Sequence, residues 1–296
     1  MILSRRSLLL TAPGLLAMPP QMALARHQST EQSGWWALDL ETGRTLGDNP
    51  DLALPMCSTF KWLLAAAMLS RVDKGQDHLD QQIFFTRKDL LSASPAVKDA
   101  LARSTVDHAS LSIRELCSAT VSLSDSSAAN LLLKRLGGPT TLTHWLRTLH
   151  DSVTRLDHYE PELNKVPFGD RQDTTTPRAM VSNLQTVLYG NVLTPTSQSQ
   201  ILAWLLAATT GPARLPAGLR DGWRIGHKTG TWTVEPGYNA AIERAASGDV
   251  AILLPPQGKP VLVAAYAAGY SAPQSEKDSW FAGIAQRVTD PAWLRR

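Results

Sequence analysis

Between Thr59 and Leu69 the chain reads Thr-Phe-Lys-Trp-Leu-Leu-Ala-Ala-Ala-Met-Leu, apolar on nearly every face a helix would have. A surface helix carries one apolar stripe, whereas a helix that is apolar all round must be enclosed by the rest of the protein. These 11 residues fall well short of the roughly 18 to 20 that a membrane span needs, and no other apolar run reaches that length. The fold must therefore supply neighbours on every side of this segment. A chain of 296 residues, 43% apolar and 19% charged, has the material to do so. The same composition excludes long disorder, a collagen repeat and a disulfide-stapled scaffold.

Around that segment the other elements can be read in order. Trp35 to Leu40 and Glu41 to Leu46 form two strands about a Thr-Gly turn. Ser112 and Glu115 have capping-box spacing and open a helix that runs to about Leu123. A further helix, Ala128 to Leu136, stops at Gly137-Gly138-Pro139. Helices are also expected over Thr140–Leu149, Pro177–Tyr189, Thr196–Ala208 and Ser279–Arg287, and a hairpin joins Val250–Leu254 to Val261–Tyr266. Residues 155–176 lack periodicity, and a loop that long inside a compact domain is usually functional or disordered. Strands near both ends with helices between predict an α/β layer built from the termini around an all-helical insert.

Arg5-Arg6, the apolar Leu8–Met18 stretch and Ala23-Leu24-Ala25 make a signal peptide pattern, so residues 1–25 are expected to be removed on export to the periplasm or medium. Ser4-Arg5-Arg6-Ser7-Leu8 fits a twin-arginine signal and equally an ordinary Sec signal. Net charge is +3 and is not gathered into a basic stripe, which argues against a nucleic-acid partner.

Lys61 is out of place in a helix that wants burial on every face, because an ammonium without partners is costly to bury. Ser58 lies three residues earlier, on the same face if the helix begins there. A hydroxyl beside an amine is one way to activate a nucleophile. Ser58 could equally be no more than a helix N-cap. Two further motifs bear on the choice. Ser124-Asp125-Ser126 stands at a corner between two helices, and Lys228-Thr229-Gly230-Thr231 follows the strand-like Gly222–Gly226. Their order and spacing match the Ser-x-x-Lys, Ser-Asp-Asn and Lys-Thr-Gly set.

On these motifs the chain resembles the class A serine β-lactamases from about Trp35 to its C-terminus, and 155–176 resembles their Ω loop. The resemblance implies an antiparallel five-stranded sheet flanked by terminal helices. The α/β part would comprise 26–57 and 206–296, and the helical part 58–205. It also implies a monomer without metal or cofactor that acts on small β-lactams. In the roles so implied, Ser58 attacks the lactam carbonyl while the backbone amides of Ser58 and Thr231 hold the oxyanion. Glu160 and Asn164 hold the water that hydrolyses the acyl-enzyme, and Ser124 passes a proton to the leaving nitrogen. Lys228, Thr229 and Thr231 meet the substrate carboxylate, supported by Arg214. Either Lys61 or Glu160 could accept the proton during acylation.

Several positions depart from the family pattern. Ser126 replaces the motif's asparagine and carries one polar head where an amide carries two. His158 replaces the arginine that pairs with the loop aspartate, here Asp173, which predicts a more mobile loop and better acceptance of bulky cephalosporins. Ala93 stands at the usual aromatic gate and predicts a wider entrance. Extra residues precede Arg114, and 232–248 is longer than usual. Cys57 and Cys117 each match one half of a different family disulfide but lack its partner, so two free thiols are expected, with Cys57 lining the back of the site. Carbapenem hydrolysis stays open through Cys57, Thr231 and Arg214. A penicillin-binding DD-peptidase and a β-lactam sensor that stays acylated are the rival readings, and Glu160 through Asn164 is the segment that disfavours both.

Overall fold

Three short strands precede the apolar segment: β1 (Gln32–Asp39), β2 (Thr45–Asp48) and β3 (Leu54–Pro55). The segment itself is α1 (Phe60–Asp73), entered through a 3₁₀ turn at Cys57–Thr59. The computed structural model describes residues 31–167, 169–234, 245–269 and 273–294. The expected signal peptide, its cleavage site and most of the lengthened 232–248 stretch lie outside them.

Every residue of α1 from Phe60 to Ser70 is buried, Lys61 included. Its neighbours are α3 (Ile113–Ser122), α4 (Ser126–Leu136), α5 (Pro139–Thr148) and α7 (Pro195–Leu206). The all-round apolar pattern is thus met by helices on several sides. Each large aliphatic or aromatic side chain so enclosed contributes about 1.5 to 3 kcal/mol. The expected capping box at α3 forms: Ser112 Oγ accepts from the Glu115 amide at 3.2 Å, and Glu115 accepts from the Ser112 amide at 2.7 Å. Helix α4 ends at Gly137, whose φ of 110° only glycine adopts without strain.

Two features lie beyond the sequence reading. β4 (Gln82–Thr86) and β5 (His108–Ser112) form a separate hairpin, and α2 (Pro95–Arg103) lies between them in sequence. Asp125 ties α2 to α4: its Oδ1 accepts from the Ala128 amide at 2.8 Å, and its Oδ2 from the Ala96 and Val97 amides at 2.9 and 3.1 Å. One buried carboxylate therefore caps two helix N-termini, where negative charge is favoured. The Ser124 corner is fixed from both sides.

Beyond β6 (Thr174–Thr175) and α6 (Pro177–Tyr189) the chain returns to the sheet as β7 (Arg224–Trp232), β8 (Ala246–Leu254) and β9 (Val261–Ala268). These strands join β1 and β2 in one antiparallel sheet of order β2-β1-β9-β8-β7. Strands from both ends of the chain thus share one layer, as expected. β9 is buried along its whole length because both faces of the sheet are covered. Val250, Ile252, Leu262, Ala264 and Tyr266 belong to the core shared with the helices. Ala251, Leu253, Val261, Val263 and Ala265 pack on Phe281, Ile284, Ala285 and Val288 of α8 (Gln274–Val288), which α9 (Pro291–Leu294) follows. No helix among the described residues is long and apolar enough to cross a membrane. β7 is an edge strand, and its free side faces the Ser58 turn.

Candidate active site

Ser58 sits in the 3₁₀ turn ahead of α1 and makes no side-chain cap. The N-cap alternative for this serine is therefore set aside. Cys57 before it has a φ of 45°, an uncommon value for a residue other than glycine. Thr59 behind it is fully buried: its hydroxyl donates to the Met56 carbonyl at 2.8 Å and meets the Tyr266 hydroxyl at 3.0 Å. Strand β7 lies hard against this turn. A Cβ on Gly230 would fall 2.6 Å from the Met56 carbonyl oxygen and 3.1 Å from the Ser58 nitrogen, so this position admits only glycine. The close approach brings the backbone of Thr231 beside that of Ser58.

A cavity of about 370 Å³ opens here, lined by Ser58, Ser124, Ser126, Glu160, Asn164, Arg214, Thr229 and Thr231 among others. Of the catalytic and substrate-binding residues expected from sequence, Lys61 and Lys228 are off its wall; both are fully buried beneath it. Lys61 Nζ lies 2.9 Å from Glu160 Oε1 and donates to the Ser124 carbonyl at 2.8 Å and to Ser126 Oγ at 3.0 Å. Ser58 Oγ donates to Glu160 Oε1 at 3.3 Å. Glu160 Oε2 accepts from Asn164 Nδ2 at 2.7 Å. Lys228 Nζ donates to Ser124 Oγ at 2.9 Å and to the Thr229 carbonyl at 2.7 Å. The three motifs and the loop segment converge on one place.

The electrostatics follow from this packing. Burial pushes the Glu160 carboxyl up, but the Lys61 charge and hydrogen bonds from Lys61, Asn164 and Ser126 outweigh it and hold the group below the usual glutamate range. Glu160 is thus a carboxylate at neutral pH, available as a base. Burial and the charge of Lys61 push Lys228 well below the ordinary lysine range.

Two of the wall residues are also tied into the buried network. Ser126 lines the cavity and accepts from Lys61 through its hydroxyl oxygen. Arg214 lines the cavity and is 4% exposed. Its Nε meets Asp278 at 3.2 Å, its Nη1 donates to the Gly230 and Gly248 carbonyls, each at 2.9 Å, and its Nη2 donates to Thr231 Oγ1 at 2.6 Å. Cys57 and Cys117 are buried and not joined by a disulfide, as expected, but Cys57 is not on the cavity wall. Its side chain packs behind Gly230 instead. Leu91, Ala93 and Pro95 line the cavity.

Two site-building residues escaped the sequence reading. Asn130 of α4 donates to the Glu160 carbonyl at 2.8 Å and accepts from the Glu160 amide at 3.0 Å, which fixes the loop where the carboxylate emerges. An asparagine inside an Ala- and Leu-rich helix was the available signal. Thr210 pairs its hydroxyl with that of Thr229 at 2.6 Å and had no signal, since it stands in an irregular stretch.

The Ω-like loop closes through Asp173, whose Oδ1 accepts from the Asp157 and His158 amides at 2.7 and 3.0 Å. Its Oδ2 meets His158 Nδ1 at 2.6 Å, so the imidazole does take the partner's place. The hydrogen bond to Asp173 raises the affinity of His158 for its proton above the usual histidine range, while burial raises that of Asp173. The sign is that of a raised group: the cationic pair is present below the ordinary histidine range and is lost as pH rises through the raised value. It is also lost on the acid side, when Asp173 takes up a proton. Hydrogen exchange in 155–176, corrected for intrinsic rates, should therefore be slowest in mildly acidic buffer and speed up by pH 8.5. Unchanged protection across that range would contradict this.

The chain belongs to the beta-lactamase enzyme family, whose model matches residues 21–292, and within it to the class A serine hydrolases. Its structure is similar to an ancestral class A beta-lactamase at 42% identity, over 88% of this chain and 94% of that one, with a TM-score of 0.80. It is similar to the class A beta-lactamase of the last common ancestor of Gram-negative bacteria at 43% identity, over 88% and 93%, with a TM-score of 0.80. A beta lactamase from Xanthomonas campestris pv. campestris str. ATCC 33913 matches at 39% identity, over 88% and 92%, with a TM-score of 0.79.

Proposed function

We propose that this β-lactam hydrolase opens penicillins and cephalosporins through an ester on Ser58, which a water activated by Glu160 then hydrolyses. In acylation the Ser58 oxygen bonds to the lactam carbonyl carbon as its proton passes to Glu160. The lactam C–N bond then breaks as the nitrogen takes the Ser124 proton. Ser124 is reprotonated through the Lys61 network at the expense of Glu160, which is again a carboxylate when water enters. The direct Ser58–Glu160 hydrogen bond supports Glu160 as that acceptor. Lys61 stabilises the carboxylate and aligns Ser124 and Ser126. Lys228 donates to Ser124 Oγ, which leaves the Ser124 hydrogen free to point at the leaving nitrogen.

The oxyanion is received by the amides of Ser58 and Thr231, where one donor is worth about 3 to 4 kcal/mol. The substrate carboxylate meets Lys228 and the hydroxyls of Thr229 and Thr231. Arg214 and Thr210 orient those hydroxyls and so act through them.

The observation that carries the hydrolase reading is the placement of Glu160 between Ser58 and Asn164. Asn164 Oδ1 is buried and has no hydrogen-bond partner among the described residues, so it can accept from a water that Glu160 deprotonates beside the ester. A DD-peptidase or a sensor has no need of that arrangement. The test is purified protein mixed with a chromogenic cephalosporin in excess: turnover continues far past one equivalent. A stoichiometric burst with no steady phase would support the sensor, and turnover confined to D-alanyl-D-alanine peptides would support the peptidase. With an exported chain, the host would gain penicillin resistance.

A further inference from the structure

Three buried cations surround the site, Lys61, Lys228 and Arg214, and they differ in how they are balanced. Lys61 touches Glu160 at 2.9 Å and Arg214 touches Asp278 at 3.2 Å. Lys228, fully buried, has no carboxylate within ion-pair distance among the described residues. A third buried carboxylate stands on the neighbouring strand. Asp249 of β8 pairs in register with Thr229, one residue along from Lys228. It shares the α8-facing side of the sheet with Ala251 and Leu253. Asp249 is 0% exposed; one oxygen meets His227 Nδ1 at 2.9 Å, and the other has no hydrogen-bond partner among the described residues. A carboxylate that is buried and half satisfied is costly unless its charge serves something nearby.

We infer that Asp249, held by His227 on the far side of the edge strand, is the counter-charge of Lys228 and thereby a positioning residue for the substrate carboxylate. Both groups are fully buried, so the attraction across the strand is weakly screened. Lys228 is faced by Lys61 from α1, Glu160 from the loop, Arg214 from the turn before β7, and Asp249 and His227 from the sheet. Lys277 and Asp278 of α8 lie beyond Arg214, and Cys57 and Tyr266, whose phenol burial keeps protonated, complete the titratable set among the described residues. Against burial and the charge of Lys61, Asp249 favours the Lys228 ammonium more than Glu160 does. The sequence motif begins at Lys228 and gives no hint of this support.

The inference rests on Lys228 receiving the substrate carboxylate, and the experiment separates the two. The full chain is assayed across pH 5 to 10 with a penicillin and with its methyl ester. The unaltered protein prefers the acid; equal rates for acid and ester would overturn the role of Lys228 and the inference with it. In Asp249→Asn the alkaline limb of kcat/KM for the acid moves down by about one pH unit, as expected when a nearby opposite charge is removed. At a fixed pH on that limb the acid substrate therefore loses about tenfold, chiefly through KM, while the ester changes little. In a Lys228→Arg background, whose guanidinium does not titrate, the same substitution leaves the limb in place. Asp249→Ser removes the same charge and is read the same way if the asparagine variant fails to fold. A folded variant whose limb is unmoved, or one whose limb moves equally in the Lys228→Arg background, would overturn the inference while leaving Lys228 in its role.

Discussion

Glu160→Gln is expected to turn a multiple-turnover enzyme into one that reacts once. The glutamine keeps the shape of the side chain and can still meet Asn164, but it cannot take a proton from water. Deacylation should slow by at least about 10³-fold, the upper part of the range for a lost general base compounded by the buried position. Acylation loses its proton acceptor as well but should slow less, because Lys61, without a carboxylate holding its proton, can take the Ser58 proton instead, and the oxyanion donors remain. With a chromogenic cephalosporin the variant should give a burst close to one equivalent and almost no steady phase. A steady rate within tenfold of the unaltered protein would mean that Glu160 is not the deacylating base.

Lys61→Met is the second large effect, and it acts on stability as well as rate. Methionine fills much the same volume, so the packing of α1 around it changes little. What is lost is the partner of a buried carboxylate, and breaking such a pair typically costs about 3 to 5 kcal/mol. Glu160 can limit that cost by taking up a proton, because without Lys61 the burial contribution, already the largest acting on it, goes unopposed by a cation at 2.9 Å. The sign follows: the variant's deficit is full when Glu160 must be ionised and shrinks as pH falls. Urea denaturation should show a larger loss at pH 8 than at pH 5, and kcat/KM should fall by about 10³-fold or more. A stability loss that does not vary with pH would show that the Lys61–Glu160 pair is not energetically coupled.

What the sequence made legible was whatever is encoded locally or by exception. The all-round apolar pattern of Phe60–Leu69 located the central helix, and Lys61 stood out against it. Ser112 with Glu115, and Gly137, marked helix ends through chemistry that acts over three or four residues. Glu160 and Asn164 lie four apart, and the short 3₁₀ turn at Glu162–Asn164 brings them together. What was not legible depends on distant contacts. The β4–β5 hairpin has no strong alternation in His108–Ser112 and forms only because its partner strand is Gln82–Thr86. Thr210 acquires a role only once β7 brings Thr229 to it, and the tie between Ser126 and Lys61 depends on α1 and α4 meeting. His158 lacks the two-pronged fork of the arginine it replaces, yet Nδ1 reaches Asp173 at 2.6 Å. The substitution changes the pH range of the latch, not its existence. Cys57 was placed correctly beside the nucleophile but on the wrong side of it, because the positive φ at this residue cannot be read from neighbours alone.

The central claim is a covalent ester on Ser58 that depends on Glu160 for its release. Intact-mass and peptide-mapping measurements on Glu160→Gln after brief mixing with a penicillin test it most directly. The account predicts one added penicillin mass per chain, located on the peptide containing Ser58 and stable for minutes, while the unaltered protein has returned to its native mass. No adduct in the variant, or an adduct on a peptide without Ser58, would contradict it.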